Sequence, residues 1–365
     1  MIIDSHLHIF PFLNGACGFS SRAAHLQYLQ FYMVGHGQPV RRLADHSIVA
    51  DGSLELYDVS QVGFAGLADV NFRVEPNGRF VWTQGGEDRY IHFMPPSLQS
   101  NQATPESILA QMAYLGVDVG ILQNAHLYGR LDDDFADAQK RFPRKFIGLA
   151  EVEEFRADQP EEIASLNNSV RILGLKGLYY ANRSFLWDNY RHAFDDQLYD
   201  EFWSSVADLE IPVFWELAAV PQGQPDRYLA EVDRLVRWQS RHPTIRSILT
   251  HGLLPEHILN PPEPVERLLR DDRILIEVLF PIYWGRTHAY PYAELRPVIR
   301  ELHRRVGGER LCWGSDLPNV ERNCTYRQSL DYLDQTADFL SPLDRDRLFG
   351  DNMAEVFRLN ALTSP

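Results

Sequence analysis

The chain has 365 residues, 45% of them hydrophobic and 12% aromatic, which indicates a globular protein with an ample core and excludes a disordered, collagen-like or coiled-coil chain. The formal net charge of −15 argues against nucleic acids and membranes as partners, because both select basic surfaces. Three cysteines without the spacing of a zinc ribbon, an N-terminus without a basic region and the lack of a membrane-length apolar stretch predict a cytoplasmic location.

The first predicted element is a short apolar strand within residues 1–10 that carries His6 and His8. Side chains alternate between the faces of a strand, so these two imidazoles point to the same side. Neutral histidine is the commonest metal ligand, and the pair therefore supplies half of a divalent-metal site. The alternative is a pair of histidines on a solvated edge strand, and the rest of the chain decides between the two interpretations.

Residues 11–103 form a predicted irregular segment that is rich in glycine, proline and aromatic residues. One hairpin is expected within it, because residues 79–82 and 89–93 read as strands on either side of Gly85 and Gly86. A connection this long is commonly functional, with disorder as the alternative.

From residue 104 onward, helix and strand patterns alternate regularly. The predicted helices span residues 105–115, 131–142, 160–173, 196–209, 225–241, 264–270, 292–306, 326–339 and 341–359. The predicted strands span residues 117–122, 146–152, 174–180, 212–217, 246–250, 274–280 and 310–314. With the first strand this makes eight, which predicts a (β/α)₈ TIM barrel. Residues 1–365 would then be one domain, with 11–103 inserted after the first strand as a lid over the barrel mouth.

Polar residues follow several of these predicted strands. Glu216 ends the fifth strand, His251 follows the sixth and Asp316 follows the eighth. In this fold the chemistry lies at the carboxyl ends of the strands. Each residue alone has a structural explanation, but together with His6 and His8 they predict a metal site at one mouth of the barrel.

Five motifs carry a resemblance to a known family. They are DSHLHIF at 4–10, IPVFWEL at 211–217, ILTHGLLP at 248–255, LCWGSDLPN at 311–319 and LFGDNMAEVFRL at 348–359. With them the chain resembles the amidohydrolase superfamily, in the amidohydrolase-related branch that includes aminocarboxymuconate-semialdehyde decarboxylase. The motifs cover nearly the whole chain outside residues 11–103, and they are not specific for one reaction.

The resemblance implies one divalent ion held by His6, His8 and Asp316, with zinc expected and manganese as the alternative. It also implies that His251 is catalytic. The chain departs from the family at Glu216, where a metal-binding histidine is usual. Because a carboxylate can bind zinc or manganese, we expect Glu216 to be a fourth ligand, with a general base or a structural partner as the alternative.

Three functions follow from this set of residues. The first is a metal-dependent hydrolase that acts through metal-activated water, with His251 as general acid or base and Asp316 as a second proton acceptor. The second is a metal-dependent nonoxidative decarboxylase or hydratase of an aromatic or unsaturated carboxylic acid. The third is a ligand-binding barrel that lost catalysis through the change at Glu216.

The substrate is expected to be a small molecule that bears a carboxylate, since arginine binds carboxylates with two hydrogen bonds and aromatic rings supply flat walls. The candidate substrate-binding residues are Arg183, Trp284, Arg286, His288 and Arg322. The alternative is that each arginine pairs with a surface carboxylate. His126 and Glu151 are weaker candidates, and Lys176 would matter only for a two-metal site. The resemblance leaves a homodimer as a candidate assembly.

Overall fold

The structure is a computed structural model that describes residues 1–50, 52–58, 60–217 and 225–359. Its strands are β1 (Ile3–Leu7), β2 (Val40–Arg42), β3 (Ile48–Val49), β4 (Arg73–Glu75), β5 (Arg79–Gln84), β6 (Glu87–His92), β7 (Val119–Leu122), β8 (Phe146–Ala150), β9 (Gly177–Ala181), β10 (Val213–Glu216), β11 (Ser247–Leu249), β12 (Ile274–Val278) and β13 (Leu311–Trp313). Its α-helices are α1 (Arg22–Met33), α2 (Pro105–Leu115), α3 (Asp132–Arg141), α4 (Pro160–Arg171), α5 (Asp200–Asp208), α6 (Pro225–Arg241), α7 (Pro255–Leu259), α8 (Glu263–Arg270), α9 (Pro281–Trp284), α10 (Arg296–Val306), α11 (Tyr326–Thr336), α12 (Pro342–Asp346) and α13 (Asn352–Val356).

Eight parallel strands form one sheet in the order β1-β7-β8-β9-β10-β11-β12-β13. The residues that follow the last strand return to the first: the amide of His8 donates to the Leu317 carbonyl at 2.8 Å, and the amide of Asp316 donates to the His6 carbonyl at 2.9 Å. These contacts bring the two edges of the sheet together into a nearly closed barrel with helices around it. The predicted (β/α)₈ fold is confirmed.

Asp4 joins the first and last strands of this barrel. Its carboxylate accepts hydrogen bonds from the Ser315 amide at 2.9 Å, the Ser315 hydroxyl at 2.6 Å and the Tyr326 hydroxyl at 2.9 Å. An unpaired carboxylate would be costly inside an apolar strand, and these donors satisfy it. The polar residue in β1 therefore serves barrel closure.

Residues 11–103 are more regular than predicted. They contain α1 and a five-stranded antiparallel sheet in the order β3-β2-β6-β5-β4, so the expectation of an irregular segment is wrong. The predicted hairpin is confirmed, since β5 pairs with β6 around Gly85 and Gly86, both of which have positive φ. Helix α1 escaped prediction because most of its last seven positions are buried whatever face they lie on, which removes the polar–apolar period. The role of residues 11–103 as an inserted lid stays a prediction.

The outer helices follow the prediction with a few differences. Helix α6 has the predicted bounds, whereas the short helices α7 and α9 were not predicted. The terminal helix contains a π-helical turn, Arg347–Asp351, between α12 and α13. Lys176 is exposed and precedes β9, so it does not point into the barrel. Among the described residues, no helix combines the length and apolar character that crossing a membrane requires.

Candidate metal centre

Three buried side chains converge where β1 and β13 end. His6 Nε2 lies 3.1 Å from His8 Nε2, and His8 Nε2 lies 3.0 Å from Asp316 Oδ1. The remaining distance, from His6 Nε2 to Asp316 Oδ1, is 3.9 Å. Strand alternation gives the two histidines their common direction, and the contacts that close the barrel bring Asp316 to them. The structure thus brings together three of the four predicted ligands.

The hydrogen bonds behind the two rings fix which nitrogen faces the centre. His8 Nδ1 lies 2.9 Å from the Gln123 carbonyl oxygen, which can only accept, so this nitrogen carries the proton. His6 Nδ1 lies 2.9 Å from Glu277 Oε2, which likewise calls for a proton on Nδ1. In the neutral rings both Nε2 lone pairs therefore point at each other and at Asp316. Three converging acceptors without a shared proton fit a cation, and this donor set suits zinc or manganese.

Charge within the cluster favours the ionised form of Asp316. Burial alone would raise the pKa of this carboxyl, but when the rings rather than an ion supply the positive charge, a hydrogen bond from doubly protonated His8 and the charge of protonated His6 outweigh burial and hold the pKa below its ordinary value. For His6, burial lowers the pKa, yet Glu277 outweighs it and raises the pKa to about 9. The pocket is thus strongly biased toward positive charge at its centre.

Glu277 on β12 is a component of the site that the sequence analysis missed. It is 1% exposed and hydrogen-bonds to side chains from three parts of the barrel, namely β1, the residue after β7 and the residue after β11. The available signal was a carboxylate inside the apolar run ILIEV, since an unpaired charge there would be costly. Glu277 is not among the polar residues at strand ends, because it lies within the strand.

His251 lies beside the cluster of His6, His8 and Asp316, which is called the triad from here on. Its ring centroid is 4.8 Å from that of His6 and 6.1 Å from that of Tyr283, and the ring forms no hydrogen bond with the described part of the chain. Its backbone has φ of 60°, and its amide donates to Glu277 Oε2 at 2.8 Å. Burial lowers the pKa of His251, and the neighbouring His6 lowers it further. A neutral imidazole with free ring nitrogens is suited to proton transfer.

Glu216 lies outside the three-residue cluster. Its Oε2 accepts a hydrogen bond from the Tyr179 hydroxyl at 2.6 Å. Glu216 nevertheless faces the same region, because its charge contributes to the raised pKa values of Tyr32, Tyr179 and Tyr283. Its role as a fourth ligand stays a prediction.

Arg183, one of the predicted substrate-binding residues, contacts the end of α1. Its Nη2 donates to the carbonyls of Phe31, Tyr32 and Val34, each at 3.2 Å. The guanidinium also lies 4.8 Å from the centroid of the Tyr32 ring. Its partner is thus the backbone of residues 11–103 rather than a surface carboxylate.

The other predicted substrate-binding residues divide into two groups. Arg286 donates to the Gly37 carbonyl and Arg322 to the Phe93 carbonyl, again in residues 11–103. Trp284 and His288 stack on each other with ring centroids 4.4 Å apart. Substrate contact by any of them stays a prediction.

Several buried side-chain atoms lack a hydrogen-bond partner within the described ranges, and three of the donors among them bear on the substrate prediction. The three are Tyr32 Oη, Arg183 Nε and Arg322 Nε. Buried polar atoms are nearly always hydrogen-bonded, so such atoms call for water or a ligand. Two of them belong to Arg183 and Arg322, which are predicted substrate-binding residues, and such donors are compatible with a carboxylate ligand.

The weaker candidates form a separate cluster. His126 Nε2 lies 2.8 Å from Glu154 Oε2, and His126 Nδ1 lies 3.5 Å from Glu151 Oε2. Arg130 adds an ion pair to Glu153 at 2.5 Å. These residues follow β7 and β8 and pair with one another rather than with the triad.

The comparisons with known proteins concern the family and the fold. The family model described as Amidohydrolase matches residues 3–359. No curated protein matches the sequence. A probable 2-pyrone-4,6-dicarboxylic acid hydrolase from Acinetobacter baumannii, solved with citric acid bound, is 17% identical over 70% of this chain and 90% of its own, with a TM-score of 0.55.

Two further solved structures show the same relationship. A dihydroxybenzoic acid decarboxylase from Polaromonas, with bound manganese and the inhibitor 2-nitroresorcinol, is 17% identical over 73% of this chain and 89% of its own, with a TM-score of 0.54. An amidohydrolase from Burkholderia multivorans is 14% identical over 72% of this chain and 91% of its own, with a TM-score of 0.56. Similarity at this level shows a shared fold.

Proposed function

The chain belongs to the amidohydrolase family, and on that premise we propose that it is a divalent-metal-dependent hydrolase of a small substrate that bears a carboxylate. The observation that carries the proposal is the convergence of His6 Nε2, His8 Nε2 and Asp316 Oδ1, three acceptors within 4.8 Å of one another. When bound there, a zinc or manganese ion would polarise a substrate oxygen and acidify water.

The chain's own residues supply the proton transfers. His251 has free ring nitrogens and a lowered pKa, so it can take a proton near neutral pH and return it to a leaving group. Asp316, whose pKa is held low, is a carboxylate throughout this range and is the second candidate acceptor. The placement of His251 beside His6 keeps both acceptors at one end of the site.

The unpartnered donors Tyr32 Oη, Arg183 Nε and Arg322 Nε support a carboxylate-bearing substrate. A carboxylate that accepts from such donors would replace contacts that the protein alone leaves unmade. Residues 11–103 contribute one of these donors, Tyr32, so the covering segment takes part in the proposed substrate site.

Nonoxidative decarboxylation of an aromatic acid is the second candidate. The observation in its favour is the aromatic wall at the centre, where the Tyr128 ring lies 4.6 Å from the His8 ring and 4.8 Å from the Phe10 ring. A flat wall of this kind suits an aromatic substrate. The proton that replaces the departing carboxyl group would come from His251.

Metal content and product mass test these proposals together. The purified protein should contain close to one equivalent of zinc or manganese by elemental analysis. Asp316→Asn should lower the affinity for the metal more than about 100-fold, beyond the loss caused by a change in a residue that only contacts a ligand.

With 2-pyrone-4,6-dicarboxylate and 2,6-dihydroxybenzoate as probes, gain of water indicates hydrolysis and release of carbon dioxide indicates decarboxylation. A wild-type protein that binds neither metal under any loading condition would contradict both and favour the ligand-binding barrel.

A further inference from the structure

We propose that Glu277 is a positioning residue that fixes the Nδ1-protonated tautomer of His6, so that His6 Nε2 faces the metal, and that holds His251 beside it. The proposal rests on the proposed metal centre and adds a residue to it. Glu277 lies within β12 and contacts His6 at Nδ1, the ring nitrogen that does not face His8 and Asp316.

Donors satisfy both oxygens of this carboxylate. Oε1 accepts from the Ser5 hydroxyl at 2.6 Å and from Gln123 Nε2 at 3.4 Å. Oε2 lies 2.9 Å from His6 Nδ1, 2.9 Å from the Thr250 hydroxyl and 2.8 Å from the His251 amide. Glu277 is 1% exposed, so these bonds form away from bulk water, where their geometry is strongly determined.

The donors define what Glu277 requires of His6. A carboxylate oxygen can only accept from Nδ1, so the ring must carry its proton there and leave Nε2 as a lone pair. A glutamine at this position has one oxygen and one amide group. With its amide group in the place of Oε2, the glutamine would face the His251 amide, a donor, and would favour the opposite tautomer of His6. With its amide group in the place of Oε1, it would face Gln123 Nε2, which is also a donor. The negative charge and both oxygens are therefore needed.

One oxygen also links two residues of the site. Oε2 contacts the ring of His6 on β1 and the backbone amide of His251 after β11. The backbone of His251 has a φ of 60°, which residues other than glycine adopt uncommonly. The neighbouring Gly314 leaves room for this arrangement, because a Cβ atom there would lie 2.7 Å from Glu277 Oε1 and 2.9 Å from His6 Cβ. The carboxylate thus sets the spacing of the predicted metal ligand and the predicted acid–base residue.

Metal affinity of the variant Glu277→Gln tests the proposal without a known substrate. We expect Co²⁺ to bind the folded variant about 10- to 100-fold more weakly than it binds the wild type, as for other outer-shell partners of metal-binding histidines. Titration calorimetry measures the affinity, and far-UV circular dichroism and thermal unfolding of the metal-free proteins report the fold. The matched control is Glu154→Gln, which changes another 1%-exposed glutamate that contacts a histidine, His126, outside the triad. It should bind Co²⁺ within about 2-fold of the wild type.

The outcomes separate this inference from the proposed function. A wild type that binds no metal contradicts the proposed function, whereas a wild type and a folded Glu277→Gln that bind Co²⁺ within 3-fold of each other overturn the role of Glu277. If the glutamine variant does not fold, the zinc-loaded wild type decides. In ¹H–¹⁵N spectra of its histidine rings, with His6 assigned by comparison with His6→Gln, we expect zinc on Nε2 and a proton on Nδ1. Zinc on Nδ1 of His6 would overturn the inference.

Discussion

Glu151 carries a buried carboxyl group outside the triad. This group should affect how the free energy of unfolding depends on pH. It is 4% exposed, and its Oε2 accepts from Asn124 Nδ2 at 2.7 Å. Burial raises its pKa to about 8, although His126 and Arg130 act in the opposite direction. In the unfolded chain the carboxyl has an ordinary pKa of 4.5. Between these two pKa values the folded protein keeps a proton that the unfolded chain has lost.

The variant Glu151→Gln should therefore remove a pH dependence. In the wild type this group makes the free energy of unfolding fall by about 1.4 kcal/mol for each unit that the pH rises between the two pKa values. Glutamine keeps the shape and cannot ionise, so the stability of the variant relative to the wild type should increase from pH 5 to pH 8. Urea unfolding at several pH values measures this difference. A difference that stays constant with pH would show that Glu151 ionises normally in the folded state.

At the residue scale, the sequence points more clearly to the residues that converge in the structure than to the residues that support them. His6, His8 and Asp316 could be found because they end strands that are recognisable from apolar runs. Glu277 could not be placed by the same rule, since its partners Ser5 and Thr250 are distant in sequence and only the closed barrel brings them together. Glu216 is an expected fourth ligand on sequence grounds, with a general base or a structural partner as the alternative, and in the structure it lies outside the cluster of the other three.

At the scale of elements, the C-terminus of α1 depends on a single side chain from the barrel. Arg183 donates to the carbonyls of Tyr32 and Val34 at the end of this helix, and to that of Phe31, which also accepts from the Val34 amide at 3.1 Å. A positive charge at a helix C-terminus also interacts favourably with the helix dipole. Arg183 is 4% exposed, which limits competition from water.

The variant Arg183→Met should loosen α1. We expect it to lose about 2–4 kcal/mol of stability, because it removes charged hydrogen bonds and leaves buried carbonyls without a donor. It should also speed limited proteolysis of the chain near residue 35. Arg286→Met is the matched control, since Arg286 is exposed and contacts Gly37 in the same segment. Equal stability losses in the two variants would contradict the role given to Arg183.

Elements with a clear hydrophobic period were predictable, and elements without one were not. The bounds of α6 follow from its amphipathic pattern, whereas α1 has buried residues around most of its circumference. The destinations of Arg183 and Arg322 could not be derived either, because their acceptors are backbone carbonyls of residues distant in sequence, and such contacts leave no local pattern. The barrel could be predicted as a whole because each strand repeats one local signal.

At the scale of the whole molecule, closure of the barrel depends on Asp4. Besides the contacts to Ser315 and Tyr326, its carboxylate accepts from the His6 amide at 3.0 Å. Removal of the carboxylate would leave three buried donors without an acceptor, whereas the Ser315 hydroxyl would keep the His6 carbonyl at 3.3 Å. Each such group costs about 1–3 kcal/mol.

The variant Asp4→Ala should therefore lose about 3 kcal/mol or more of stability. The measurement is urea unfolding in the presence of a chelator, so that bound metal does not contribute. Asp118→Ala is the control, because Asp118 is exposed and accepts one bond, from the amide of Ile2, which immediately precedes the same strand. A loss below about 1 kcal/mol for Asp4→Ala would mean that the remaining strand pairing closes the barrel alone.

The position of the triad on the joint between β1 and β13 has a consequence for biosynthesis. His8 and Asp316 are 308 residues apart in the chain yet 3.0 Å apart in space. A growing polypeptide on the ribosome offers the first two imidazoles early, but it cannot enclose an ion between them and the aspartate until residue 316 has been synthesised. In the proposed metal centre the ion would therefore be selected by the closed barrel, from whatever ions the cell supplies at that moment.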